Sequence, residues 1–106
     1  MEPEQIAVLD NFESRALRRG DYTLFKGEYV KGGTAIMALD SSGQQAFTLS
    51  VNLPSAPTPD EGHIWVKEWS ENEGIGEELQ RRGIIEFTGQ TSKTGYCDVR
   101  LARIAV

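Results

Sequence analysis

The chain is 106 residues long, with 39 % hydrophobic and 25 % charged residues, a balance close to ordinary globular usage that excludes disordered and collagen-like classes. Its formal net charge of −5 disfavours direct contact with a nucleic-acid duplex. One cysteine, Cys97, excludes an intrachain disulfide, and with one histidine, His63, any metal chemistry has to rest on carboxylates.

Residues 1–20 are expected to form a helix or a tail. Ile6, Leu9, Phe12 or Glu13, and Ala16 or Leu17 recur at roughly helical spacing, Pro3 is allowed in a first turn, and Gly20 supplies a stop. Glu2, Glu4, Asp10 and Glu13 precede Arg15, Arg18 and Arg19, the order that a helix dipole favours. The start, Met-Glu-Pro-Glu-Gln, has neither the basic region nor the apolar run of a secretory signal. No segment is long and apolar enough to cross a membrane, so a cytoplasmic protein of the host cell, without membrane contact, is expected.

From Tyr22 the pattern changes to strands, and residues 21–106 are expected to form one α+β domain. YTLF, EYV and TAIMAL carry β-branched and aromatic residues between glycines, with KGG as a turn. DSSG at Asp40–Gly43 has turn chemistry. Beyond it Phe47, Leu49, Val51 and Leu53 alternate with Thr48, Ser50 and Asn52, which predicts a strand hairpinned to Thr34–Leu39. Pro54, Pro57 and Pro59 then make an exposed loop.

HIWVKEW resumes as a strand with Ile64, Val66 and Glu68 on one side and Trp65, Lys67 and Trp69 on the other. Ser70 and Glu73 are spaced as a capping box for a short helix near residues 71–82, with Ile75 and Leu79 as its apolar stripe and Gly83 beyond its end. GIIEFTGQ and GYCDVRLARIAV finish the chain as strands around a TSKTG loop. The expected architecture is a mainly antiparallel sheet of about five strands with that short helix.

The charge is unevenly placed. Residues 60–78 hold seven acids and one base, a net of −6, whereas all other residues hold nine acids and ten bases, a net of +1. A basic protein groove would attract such a segment. Glu68, Glu71, Glu73, Glu77 and Glu78, with Trp69 as an aromatic anchor, are the candidate partner-binding residues. The plainer reading is a solvated helix face with an internal Glu77–Arg81 ion pair.

Chemistry has less support. His63 and Cys97 could form a dyad, but no local signature accompanies them. GIGEEL at Gly74–Leu79 lacks a Walker lysine, and its glutamates would repel phosphate. Lys31 and Lys93, in KGG and TSKTG, or the arginine pairs Arg18/Arg19 and Arg81/Arg82, could hold an anion, which makes a nucleotide-sequestering protein the second reading. A small hydrolase ranks third. No catalytic residue, metal or cofactor is assigned.

The arrangement LSVNLP, then HIWVKEWSENEGI, GII, TG and GYCDVRLARI resembles a family of short proteins of phages, plasmids and gut-type bacteria known only as a domain of unknown function. The resemblance covers about residues 22–104, and its most specific part is SENEG at Ser70–Gly74 with Gly83. It implies no catalytic residues. What it implies is the context of a mobile element, whose accessory proteins often counter host defence, including inhibitors of CRISPR effectors. The leading expectation is therefore a non-enzymatic anti-defence protein, a DNA mimic whose acidic surface occupies the basic groove of a host nuclease complex.

Overall fold

Turn chemistry at Asp40–Gly43 fixes the hairpin between Thr34–Asp40 and Gln45–Thr48. Asp40 Oδ1 accepts from Ser42 N at 2.9 Å and Gln44 N at 3.0 Å, while Gly43 N donates to Asp40 O at 3.0 Å with φ at 87°. The computed structural model describes residues 3–14, 17–29, 32–53, 56–95 and 97–106, apart from the Glu71 side chain. Parts of the expected N-terminal helix (Glu2, Arg15, Ala16), the loop residue Pro54 and the candidate anion ligand Lys31 lie outside the described residues.

Among the described residues eight strands and one α-helix follow in the order β1 (Glu4–Phe12), β2 (Gly20–Glu28), β3 (Thr34–Asp40), β4 (Gln45–Thr48), β5 (Ser50–Val51), β6 (His63–Val66), α1 (Ile75–Arg81), β7 (Ile85–Thr94) and β8 (Cys97–Ile104). They form an α+β fold with two four-stranded antiparallel sheets, β1-β2-β3-β4 and β5-β6-β8-β7, in place of the expected sheet of about five strands.

The N-terminal helix is replaced by β1. Its register against β2 slips between Gln5 and Ala7 and again between Leu9 and Phe12, where Asn11 takes a φ of 51°. Each slip inserts residues into the strand, so inward side chains recur every third residue instead of every second. Ile6, Leu9 and Phe12 thus imitate a helical period while packing as a strand, Leu9 1 % and Phe12 0 % exposed.

The run from Gln45 to Val51 serves both sheets, and Leu49 is where it changes allegiance. Leu49 N donates to Ile36 O of β3 at 2.8 Å, and Leu49 O accepts from Lys67 N, just past β6, at 2.7 Å. Leu49 and Ser50 are both buried, so the alternation breaks at the crossing. Ser50 Oγ accepts from Ile36 N at 2.9 Å and bonds Tyr29 Oη at 2.8 Å, supplying a partner where the ladder is interrupted.

The main core lies between the sheets. Leu24, Ile36, Ala38 and Phe47 come from one layer, Ile64, Val66, Ile85 and Ala102 from the other, and Ile75 and Leu79 from the helix stripe. Phe12, Tyr22 and Phe47 pack as an aromatic trio, with centroids 5.7 to 6.5 Å apart. Leu53, Trp65, Val99 and Leu101 form a second cluster on the other face of the β5–β7 sheet. That sheet is covered on both faces along β6, which buries Ile64, Trp65 and Val66 in succession.

The expected TSKTG loop is mostly strand, since β7 runs to Thr94 and pairs Ser92 with Val99 and Lys93 with Asp98. The helix starts later than residue 71. Ser70–Asn72 form a 3-10 turn in which Ser70 has a φ of 57° and makes no side-chain cap, so the Ser70/Glu73 capping box does not form. Gly74, at φ 83°, is the residue before the first helical turn. The end follows the sequence, because Gly83 N donates to Gln80 O at 3.0 Å and Ile84 N to Leu79 O at 3.0 Å, closing a Schellman motif.

Candidate protein-binding site

The acidic segment does not form one face. β6 carries the chain across its sheet, so Asp60 and Glu61 lie before the strand and Glu68 after it, with a four-residue strand rising ~10 Å between them at ~3.3 Å per residue. Glu61 lines a cleft of about 350 Å³ with Glu28, Gly33, Thr34 and Pro59. Its two carboxylates disfavour the phosphate of a nucleotide.

At the other end Glu68 and Glu77 converge on Arg100 of β8. Arg100 Nε donates to Glu68 Oε2 at 2.9 Å, and Arg100 Nη2 lies 2.5 Å from both Glu68 Oε1 and Glu77 Oε1. The guanidinium sits 3.7 Å from the Phe87 ring centroid. The Glu68 bond first, then the Glu77 bond, raise the Arg100 pKa against a desolvation that opposes them. The Glu68 side chain is 18 % exposed and that of Glu77 68 %, so the first is built into the fold and the second still faces solvent.

Glu78 is also committed. It accepts from Arg81 Nε at 3.0 Å and Arg82 Nε at 3.1 Å, and the Arg81 hydrogen bond is the largest cause holding its carboxyl below the usual range. The expected Glu77–Arg81 pair is therefore exchanged for Glu77–Arg100 and Glu78–Arg81. Glu73 is exposed, with its N–H donating to Ser70 O at 3.2 Å. The Glu71 side chain lies outside the described residues. Trp69 is half-buried against the second cluster, so most of its ring area serves packing.

Arg82, a candidate anion ligand by sequence, and Gln80 and Asn72, which no motif marks, position this end of the molecule. Arg82 donates through Nη1 to Asp10 O at 2.9 Å and through Nη2 to Asn11 O at 3.1 Å, with its guanidinium 5.0 Å from the Phe12 centroid. Gln80 Oε1 accepts from Phe87 N at 2.9 Å. The helix thereby ties β1, an edge of one sheet, to β7, an edge of the other. Asn72, 0 % exposed, donates through Nδ2 to Thr48 O at 2.7 Å and Lys67 O at 3.0 Å, at the crossing between the sheets. An asparagine between two glutamates gave the only available signal, and it was masked by the charge around it.

The candidate His63/Cys97 dyad does not assemble. His63 pairs with Arg103 and Cys97 with Thr94, so the two lie toward opposite ends of β8, about 20 Å apart at ~3.3 Å per residue, too far for a dyad. Lys93 Nζ is 3.1 Å from Asp98 Oδ1. Among the described residues no group of three or more His, Cys, Asp or Glu side chains is placed to hold a metal ion. Among the described residues no helix is long and apolar enough to cross a membrane. No family model, curated protein or solved structure matches the chain.

Proposed function

We propose that the chain is a non-enzymatic binding protein that acts on a protein partner with a basic groove, through the acidic end of the molecule around α1. The observation that carries this reading is the presentation of Glu73 and Glu77. Both are exposed, on a segment held to both sheets by Arg82, Gln80 and Asn72. A carboxylate on a fixed support loses little freedom on binding, which favours recognition of a cationic surface. The nucleic-acid groove of a host defence nuclease complex, the CRISPR type included, has the matching charge, and an inhibitor carried by a phage or other mobile element would use it.

Relative to the sequence expectation, the contact set narrows. Glu68 and Glu78, the less exposed carboxylates, serve the fold through Arg100, Arg81 and Arg82, and the exposed Glu73 and Glu77 carry the contact. The test is capture of partners from host lysate at low and high salt by the native chain and by a Glu73→Lys/Glu77→Lys variant with a matched unfolding temperature. A basic partner retained by the native chain at low salt, released at high salt and lost in the variant supports the reading. Equal capture by both chains overturns it.

A further inference from the structure

Trp65 carries a buried donor with nothing to bind. It lies on an inner strand, paired with Val51 and Leu101, and is 4 % exposed, yet among the described residues its indole N–H meets no acceptor. A shielded N–H without a partner is costly, and nearly every native one is matched by protein, water or ligand. Trp65 also lines a cleft of about 180 Å³ with Pro57, Pro59, Asp60, Gln90 and Leu101. The ring that holds the unmet donor is therefore a wall of that cleft.

The opposite wall is a proline strap. Pro57 and Pro59 have no N–H, and among the described residues main-chain bonds tie the strap only at its ends, Ala56 N to Leu53 O at 3.1 Å and His63 N to Asp60 O at 3.0 Å. It can yield enough to bring an acceptor to the indole. Pro59 also lines the larger cleft, of about 350 Å³, that holds Glu28 and Glu61. The two clefts adjoin across that proline. Glu28, Asp60 and Glu61 are all exposed, and no described residue lining either cleft is basic.

Size and charge select the occupant. At about 180 Å³ the Trp65 cleft is smaller than the ~300 Å³ at which small-molecule sites begin, so it takes one side chain of a longer molecule. Its donor calls for a neutral acceptor, because Asp60 beside it repels a carboxylate or a phosphate. A peptide carbonyl is such an acceptor, and the carboxylates of the adjoining cleft call for a cation on the same chain. We propose that the two clefts astride Pro59 form a docking groove for an extended basic segment of a protein partner. One main-chain carbonyl of the segment accepts from Trp65 Nε1, an apolar side chain packs on Pro57 and Leu101, and a Lys or Arg lies between Glu28 and Glu61. The groove precedes β6 and α1 follows it, so the proposal is independent of Glu73 and Glu77.

Titration of the ¹⁵N-labelled chain with acetyl-Lys-Leu-Lys-amide, followed by its indole N–H resonances, tests the groove. Trp65 and Trp69 are the two tryptophans, and Trp69→Phe assigns them. The Trp65 indole proton is expected to move downfield and to saturate in the millimolar range. Acetyl-Glu-Leu-Glu-amide is expected to leave it in place, and Glu28→Gln/Glu61→Gln, at two exposed positions, to raise the dissociation constant about tenfold. A Trp65 proton that the basic peptide leaves in place or moves upfield, the sign of a weakened hydrogen bond, overturns the proposal. An equal response to both peptides overturns it as well, because the carboxylates then select nothing. A dissociation constant unchanged in the double variant places the cation elsewhere and equally overturns it.

Discussion

The side-chain amide of Asn72 donates to the main-chain oxygen of Thr48 across 24 positions of sequence, at the point where the chain leaves one sheet for the other. The same nitrogen serves Lys67 O, so one buried amide satisfies two carbonyls that no ladder reaches. Asn72→Ala is expected to leave both without that partner and to cost about 2 kcal/mol or more in urea unfolding. Asn72→Asp is expected to cost more, since a carboxylate offers no donor to either oxygen.

Gly76 is expected to resist the substitution that helix propensity recommends. A Cβ there would lie 2.8 Å from Phe87 Cζ and within overlap distance of Glu68 Oε1, the carboxylate that binds Arg100. Alanine gains about 1 kcal/mol of propensity over glycine in a helix interior. The overlap costs roughly 1–3 kcal/mol and displaces the Glu68–Arg100 pair. Gly76→Ala is expected to lower the unfolding temperature, whereas a rise would show that Glu68 moves aside freely.

Arg82 closes the gap between the two sheet edges, so its loss is expected to act locally first. Arg82→Ala removes the donors to Asp10 O and Asn11 O and the cation over Phe12. Amide hydrogen exchange should accelerate by tenfold or more in β1, with little change in β8. Arg82→Lys restores the charge without the planar fork and should recover only part of the protection.

Glu78 gives the chain an acid-sensitive contribution. Its carboxyl is held below its ordinary value in the folded chain, chiefly by the Arg81 hydrogen bond. Unfolding then takes up a proton as the pH falls below the ordinary glutamate range near ~4.3, and stability falls with it. The contribution is fully present above that range. Glu78→Gln is expected to lower stability at neutral pH and to narrow its gap to the native chain toward pH ~2, as read from unfolding midpoints across the acid limb.

What was legible in the sequence follows from how local each cause is. The Asp40–Gly43 turn, the β3–β4 hairpin and the Gly83 stop are set by residues within a few positions of one another, and each stands as expected. β1 carries a helical period, where the sequence points to a helix or a tail, because two register slips put Ile6, Leu9 and Phe12 three apart. The number of sheets depended on the crossing at Leu49, whose partners Ile36 and Lys67 are distant in sequence. In the acidic segment, composition showed where the charge lies but not that Arg100, 32 positions from Glu68, consumes part of it.

The strand order of the second sheet sets a timetable for folding. β2, β3 and β4 each pair with the strand made just before, so the first sheet can assemble as it is synthesised. β6 instead holds only the two-residue β5 on one side, and its other edge waits for β8, which is completed after α1 and β7. Until then Ile64 and Val66 lie on an open, apolar edge, the kind of surface that chaperones cover and aggregation exploits. The second sheet is accordingly closed only by the arrival of residues 97–104.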